Sequence, residues 1–410
     1  MKFDKYQIAW EVKQSLDELG YKKPTDIQYK AIPQILSGQD ILAIAQTGTG
    51  KTAAFAIPLL SMLQANRHWV PGQNVKAVVM VPTRELAVQI EEVFKQIGRY
   101  TDVETMAIIG GVEIAPQVAR LKKGVDVLIA TPGRIADLVH KSHLNLKKVD
   151  FLVLDEADHM LSKGFYEDIK HLLQFLPRRR QTLFFSATID ETIKDLAYAL
   201  VTKPVRIQIS PKDPVSKNVD HVVAYVAMDD KRFFLERVIK ENNDKKILVF
   251  VRTKVRAERV LKAMERVGII TATLHGDKDQ KDRMAILESF RSGKNRILIA
   301  TDVSARGLDV KGVEFVVNYD LPDVAENYVH RVGRTGRGNH RGKAISFCSE
   351  EEKPVLKEIE SYLTQPVKVM TIEKNAYEET LAISEGHGND WKALIADNEA
   401  IKLKKGKKRK

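Results

Sequence analysis

The sequence predicts an α/β protein of two tandem, doubly wound parallel-sheet domains joined by a flexible linker and followed by a short basic tail. Three observations predict it. Short apolar runs alternate with amphipathic helical patterns through the first half, the rhythm breaks near residues 201–219, and it then resumes. A chain of 410 residues is also too long for one compact core and suits two.

Taken in order, "DILAIA" (40–45), "KAVVMV" (76–81), "VDVLIA" (125–130), "FLVLDE" (151–156) and "QTLFFSA" (181–187) read as strands apolar on both faces, as a sheet covered on both sides requires. Between them, "RELAVQIEEVFKQIG" (84–98) and "FYEDIKHLLQFL" (165–176) carry helical spacing. The segment "VTKPVRIQISPKDPVSKNV" (201–219), with three prolines among lysines and serines, is the linker candidate. A second series follows with "KKILVFV" (245–251), "TATLH" (271–275), "RILIAT" (296–301), "VEFVVNY" (313–319) and "KAISFC" (343–348). The halves share this layout without an evident residue repeat. The expected division is a first domain over 1–208, a linker over 209–218, a second domain over 219–372 and a tail over 373–410.

Composition narrows the class. A hydrophobic share of 44% and a charged share of 29% are ordinary for a globular protein. No apolar run approaches the ~20 residues needed to span a bilayer, so no membrane partner is expected. The first sixteen residues carry early charges and no apolar core, which argues against a secretion signal. One cysteine, Cys348, excludes an intrachain disulfide and fits a reducing, cytoplasmic compartment. The net charge of +12 points to a polyanionic partner, although seven basic residues within 401–410 carry much of it and the remainder is only +5.

The chemistry concentrates in loops after strands. "ILAIAQTGTGKT" (41–52) nearly fits the phosphate-loop pattern, with Ala45 where its first glycine would stand. It follows a strand and precedes an apolar helical run, the context in which backbone N–H groups and a helix N-terminus face phosphates. Gly48 and Gly50 permit close approach, Lys51 reaches the β- and γ-phosphates, and the Thr52 hydroxyl ligates Mg²⁺. Ala45 is tolerable if its backbone is ordinary; the plain alternative is a structural turn with an incidental lysine. After "FLVL", Asp155 is placed to hold Mg²⁺ and Glu156 to orient the attacking water, against a solvated acidic turn as the alternative. Arg331, Arg334 and Arg337 in "HRVGRTGRGNHRG" (330–342) alone read as a solvated basic face. Beside a phosphate loop in the other domain, they become candidates to stabilise transition-state charge across a cleft.

With these residues in hand, the sequence strongly resembles the DEAD-box ATP-dependent RNA helicases of superfamily 2, over residues 3–370 and in family order. "GYKKPTDIQ" (20–28) with Phe3 upstream is similar to the adenine-reading segment, and "AQTGTGKT" (45–52) is the family's own form of the phosphate loop, alanine included. "PTRELA" (82–87), "GG" (110–111), "TPGR" (131–134), "DEAD" (155–158) and "SAT" (186–188) complete the first half. "VFVRT" (249–253), "QKDR" (280–283), "ATDVSARGLD" (300–309) and "HRVGRTGR" (330–337) complete the second. The resemblance, nearest to compact bacterial members, implies two RecA-like domains and the cofactors ATP and Mg²⁺. It implies that Tyr21 stacks on adenine and Gln28 reads its edge, that Gly48, Thr49, Gly50, Lys51 and Thr52 hold phosphates, and that Asp309 lies near the ribose. Arg334 and Arg337 match arginine fingers, and His330 and Arg331 help join the domains. Asp158 contacts Ser186 and Thr188, coupling hydrolysis to strand separation. Pro82, Thr83, Arg84, Gly111, Thr131, Arg134, Arg252, Gln280, Arg283 and Thr301 lie in motifs that hold the RNA backbone. His159 follows DEAD where arginine is commoner, a departure that touches none of these roles.

RNA-facing arginine, threonine and glycine contact phosphate and sugar, so binding is expected to be largely sequence-independent and strongly salt-dependent. The expected reaction is RNA-stimulated ATP hydrolysis coupled to local, non-processive duplex unwinding. A superfamily 2 DNA helicase or translocase and a non-catalytic RNA clamp are the competing readings. The first is disfavoured by the adenine-reading segment and the DEAD spelling, the second by an intact Lys51, Glu156 and Arg334.

Overall fold

The computed structural model describes residues 2–46, 48–66, 74–209, 215, 218–305, 312–336 and 341–385. Its chain forms two wholly parallel seven-stranded sheets. The first contains β1 (Ile41–Ala45), β2 (Ala77–Met80), β3 (Thr105–Ile108), β4 (Val127–Ala130), β5 (Phe151–Leu154), β6 (Gln181–Ser186) and β7 (Val205–Ile209). The second contains β8 (Val219–Tyr225), β9 (Ile247–Val251), β10 (Ala272–Leu274), β11 (Ile297–Thr301), β12 (Phe315–Asn318), β13 (Gly342–Cys348) and β14 (Lys368–Val369).

Their spatial orders are β3-β4-β2-β5-β6-β1-β7 and β10-β11-β9-β12-β13-β8-β14. Subtracting seven from each label of the second order gives the first, so the two lobes repeat one topology without repeating residues. Helices cover both faces of each sheet, and the central strands β1, β2, β4, β5 and β9 are buried along nearly their whole length. Each lobe therefore has two cores, one on either side of its sheet. In such a sheet the loops after the carboxyl ends of β1, β2, β5 and β6 share one edge, where ligands of this fold bind.

Local chemistry fixes the helices that border this edge. The helix Arg84–Ile97 starts at Thr83, whose Oγ1 accepts from the Leu86 N–H at 3.2 Å, and buries Leu86, Ala87, Ile90, Phe94 and Ile97 along one stripe. Pro132 opens the helix Pro132–His140, where its missing N–H costs nothing.

The segments read as linker and tail differ from the sequence expectation. The proposed linker stretch contains β7, an edge strand paired only to β1, with alternating partial exposure that hides it from an apolar-run criterion. Residues 210–214 and 216–217 lie outside the described residues. The stretch from 373, read as a tail, opens with a helix, Lys374–Glu385, docked on the second lobe. Tyr377 anchors it, its hydroxyl donating to Asp230 at 2.7 Å and its ring 4.8 Å from that of Phe234. The lysine run at 401–410 lies outside the described residues. Among the described residues no helix is long and apolar enough to cross a membrane.

Candidate active site and nucleic-acid cleft

The loop after β1 is shaped for phosphate. Ala45 ends the strand, is 1% exposed and is not among the residues with positive φ, so its methyl group fits without strain. Gly48 and Gly50 have φ of 82° and 90°, the left-handed region open to glycine. A Cβ on Gly50 would also come within 2.5 Å of the Gln28 amide nitrogen. Gln28, 3% exposed, accepts from the Thr25 N–H at 3.0 Å and donates to the Gly50 carbonyl at 3.1 Å, so the segment read as adenine-binding is bolted to the phosphate loop. Tyr21 lies edge-on to Phe3 at 6.3 Å beside it. Thr49 Oγ1 donates to Gln46 O at 2.8 Å, closing the turn. Lys51, buried, donates to Ala45 O at 2.9 Å, and Thr52 is half-buried in the first helical turn.

Facing this loop, Asp155 and Glu156 follow β5 and are 3% and 6% exposed. Glu156 has φ 53°, a left-handed conformation rare outside glycine and typical of strain held at a working site. Burial, reinforced by the neighbouring Glu156 charge, pushes the Asp155 carboxyl up to about 6 even though Lys51 opposes the rise. Burial would raise Glu156 too. There the hydrogen bond from His159 and the charges of His159, Lys51 and Arg334 outweigh it and hold the carboxyl well below its usual range.

That balance corrects one sequence inference. His159 does touch an assigned role, because its Nδ1 lies 3.0 Å from Glu156 Oε2 in a buried contact. Its other ring nitrogen, Nε2, sits 3.3 Å from His330 Nδ1 of the second lobe. Burial, with the adjacent His159, pushes the His330 imidazole down to about 3. Arg334, 5% exposed, donates from Nε to His330 O at 3.2 Å, and its charge reaches Glu156 from the opposite lobe.

Other predicted residues go elsewhere. Arg331 does not join the lobes. It is 1% exposed and spent inside the second lobe, gripping Asp302 through two bonds of 2.6 and 2.7 Å and donating to Asp320 O. Asp158 does not engage Ser186, since Asp158 Oδ1 and Ser186 Oγ are both buried without a hydrogen-bond partner; Asp158 is instead turned toward the two histidines. Thr188 is half-buried just beyond β6. Asp309 and Arg337 lie outside the described residues.

A second cavity of about 520 Å³ runs between the lobes, lined by Pro82, Thr83, Arg84, Thr131, Arg134, Gln280 and Arg283. Seven residues from three sequence motifs thus converge on one cleft. Gly111 borders it, with φ 76° and so little room that a Cβ would collide with the Arg84 guanidinium. The helices starting at Arg84 and Pro132 aim their N-termini into this wall, adding backbone N–H groups for an anion. Sequence reasoning missed Lys163 and Lys278 in the lining, which no motif marked, and Ser304, which sits inside "ATDVSARGLD" without being singled out there. Arg252 and Thr301 are not in the lining; Arg252 is committed to Glu352 at 2.9 Å, and Thr301 is buried at the end of β11. Two contacts cross the cleft, Arg84 to Gln280 at 3.3 Å and Arg283 to Glu85 at 2.7 Å.

Comparison with known proteins bears on this geometry. Residues 25–196 match the DEAD/DEAH box helicase family and residues 230–339 the helicase conserved C-terminal domain. The chain is 37% identical over 361 residues to the ATP-dependent RNA helicase DbpA of Bacillus subtilis, covering 88% of this chain and 74% of that one. The chain belongs to the DEAD-box helicases. It is also 40% identical over 349 residues to the DEAD-box ATP-dependent RNA helicase CshA of Bacillus cereus, covering 85% of this chain and 65% of the relative's length. Among solved DEAD-box structures it resembles S. cerevisiae Dbp5 bound to RNA and ADP BeF3, with a TM-score of 0.82 at 29% identity over 94% of this chain and 99% of the other. The match takes in both lobes at once, so their mutual arrangement, and not only each RecA-like fold, is shared.

Proposed function

We propose that this DEAD-box protein is an ATP-dependent RNA helicase that couples ATP hydrolysis to local, non-processive opening of RNA duplexes. The observation that carries the reading is the shared electrostatic site: Lys51 and Arg334, from opposite lobes, both act on Glu156. A hydrolytic set completed only when two lobes meet is a set that binding can switch on.

In this reading the phosphate loop and Lys51 bind the β- and γ-phosphates, Tyr21 and Gln28 hold adenine, and Asp309 the ribose. Glu156, kept ionised by His159 and Lys51, orients the attacking water as an acceptor. Arg334, with Arg337 beside it in sequence, faces the charge that develops on the transferred phosphoryl group. The residues also suit Mg²⁺. Asp155 is a buried carboxylate whose raised pKa reports charge without full compensation, and with the Thr52 hydroxyl it offers the oxygen ligands a hard cation takes. Bound there, the cation would neutralise phosphate charge.

RNA is held by the cleft. Helix N-termini and arginines address phosphates, which fix position without reading sequence, while the 2′-hydroxyl separates RNA from DNA. A strand bent to follow the closed cleft leaves A-form geometry, so a short duplex opens where it is gripped. A buried, unpaired thiol at Cys348 supports a reducing, cytoplasmic setting.

Glu156→Gln tests the assignment. RNA-stimulated ATP turnover is expected to fall by at least ~10²-fold, the scale of a lost general base, with nucleotide affinity retained. Unchanged turnover, or equal stimulation of the parent protein by single-stranded RNA and DNA, would contradict it.

A further inference from the structure

Asp158, His159 and His330 each present a ligand atom, and the three atoms lie within 4.8 Å of one another, two from the first lobe and one from the second. We propose that they form a site for a borderline divalent metal, Zn²⁺ or Co²⁺, that bridges the lobes and exists only when they are closed. The proposal rests on the closure described under the proposed function.

Three observations carry it. His159 Nε2 and His330 Nδ1 are 3.3 Å apart. Two nitrogens bound tetrahedrally at ~2.0–2.1 Å from zinc are separated by about that distance. A direct imidazole–imidazole hydrogen bond has the same length, but it does not account for a second feature: Asp158 Oδ1 is buried with no hydrogen-bond partner. Third, His159 Nδ1 is already engaged by Glu156 Oε2 at 3.0 Å, which directs the lone pair to Nε2. A carboxylate behind the imidazole is the usual support of a metal-binding histidine.

Two nitrogens and one oxygen select zinc-like ions over Mg²⁺, which prefers oxygen alone, so this site is chemically distinct from Asp155 and Thr52. The three ligand atoms span up to 4.8 Å, so the Asp158 carboxylate needs to move inward to complete a tetrahedral face, with the fourth position open. Because the ligands come from both lobes, the ion binds the closed form alone and shifts the equilibrium toward it. Reopening slows, RNA is retained longer, and steady-state turnover falls.

The test titrates Co²⁺ into the full chain saturated with single-stranded RNA and a non-hydrolysable ATP analogue in Mg²⁺ buffer, with RNA anisotropy recorded on the same samples. One equivalent of Co²⁺ is expected to give intense visible bands of a tetrahedral site, displaced by Zn²⁺, and absent without RNA and nucleotide. His159→Arg and His330→Gln should each abolish them, and Zn²⁺ should slow RNA release at least tenfold in the parent protein only. A complex that forms by anisotropy yet shows only a weak octahedral spectrum overturns the proposal. So do bands that persist in both variants, or that appear equally in the free protein. If anisotropy shows no nucleotide-dependent complex, closure itself fails, and the site with it.

Discussion

Glu85 lies in a cleft assigned to a polyanion, and simple electrostatics says that removing its charge should tighten RNA binding. The structure predicts the opposite. Glu85 and Arg283 pair across the lobes at 2.7 Å, with side chains 4% and 12% exposed. Breaking a buried pair by deleting one partner costs ~3–5 kcal/mol, since the other charge stays buried and unmatched. Taking about 3 kcal/mol for a pair at a cleft wall gives a factor of ~150. The loss falls on the closed form only. Glu85→Gln should therefore weaken RNA binding in the presence of a non-hydrolysable ATP analogue by about 100-fold, with nucleotide-free RNA binding nearly unchanged. Adding Arg283→Met to Glu85→Gln should cost less than the two single losses summed, giving a coupling of at least ~2 kcal/mol in a double-mutant cycle. Fluorescence anisotropy of a labelled single-stranded RNA measures all four affinities. Tighter binding by Glu85→Gln, or simple additivity, would refute the strut.

Two further outcomes follow from the buried groups. His159→Phe removes a charge-assisted hydrogen bond to a buried carboxylate, a contact worth ~1.5–3 kcal/mol, so turnover should fall by about 10- to 100-fold; a rate within twofold of the parent would show that His159 does not support Glu156. Burial, with the Glu352 charge nearby, pushes the Cys348 thiol up to about 11, so its reactive thiolate is scarce at pH 8 and gains only as pH rises toward that value. A disulfide reagent should leave Cys348 untouched in the native protein and modify it on unfolding; rapid native modification would contradict its burial.

The parts legible in sequence were those whose signal is local. Strands buried on both faces, such as β2 and β9, are continuous apolar runs, and the phosphate loop and acidic pair sit directly after two of them. Strands at or near the sheet edges, including β3, β7 and β14, are short or part-exposed, so their alternation gave little to read. Side-chain destination was the other blind spot. Arg252, Arg283 and Arg331 look alike in sequence, yet one meets Glu352 within its lobe, one crosses to Glu85 and one is sealed against Asp302. His159 carried no motif signal because His330, its partner from the second lobe, reaches it only where the lobes meet.

On the proposed mechanism, one ATP is hydrolysed by a site whose halves belong to different lobes. The most direct test is the single-turnover rate of ATP hydrolysis by Arg334→Ala at saturating RNA. A fall of ~10³-fold or more is expected, with ATP affinity changed only a few-fold, as for an arginine supplied across a cleft. A near-parental rate would mean the second lobe contributes nothing to the chemistry.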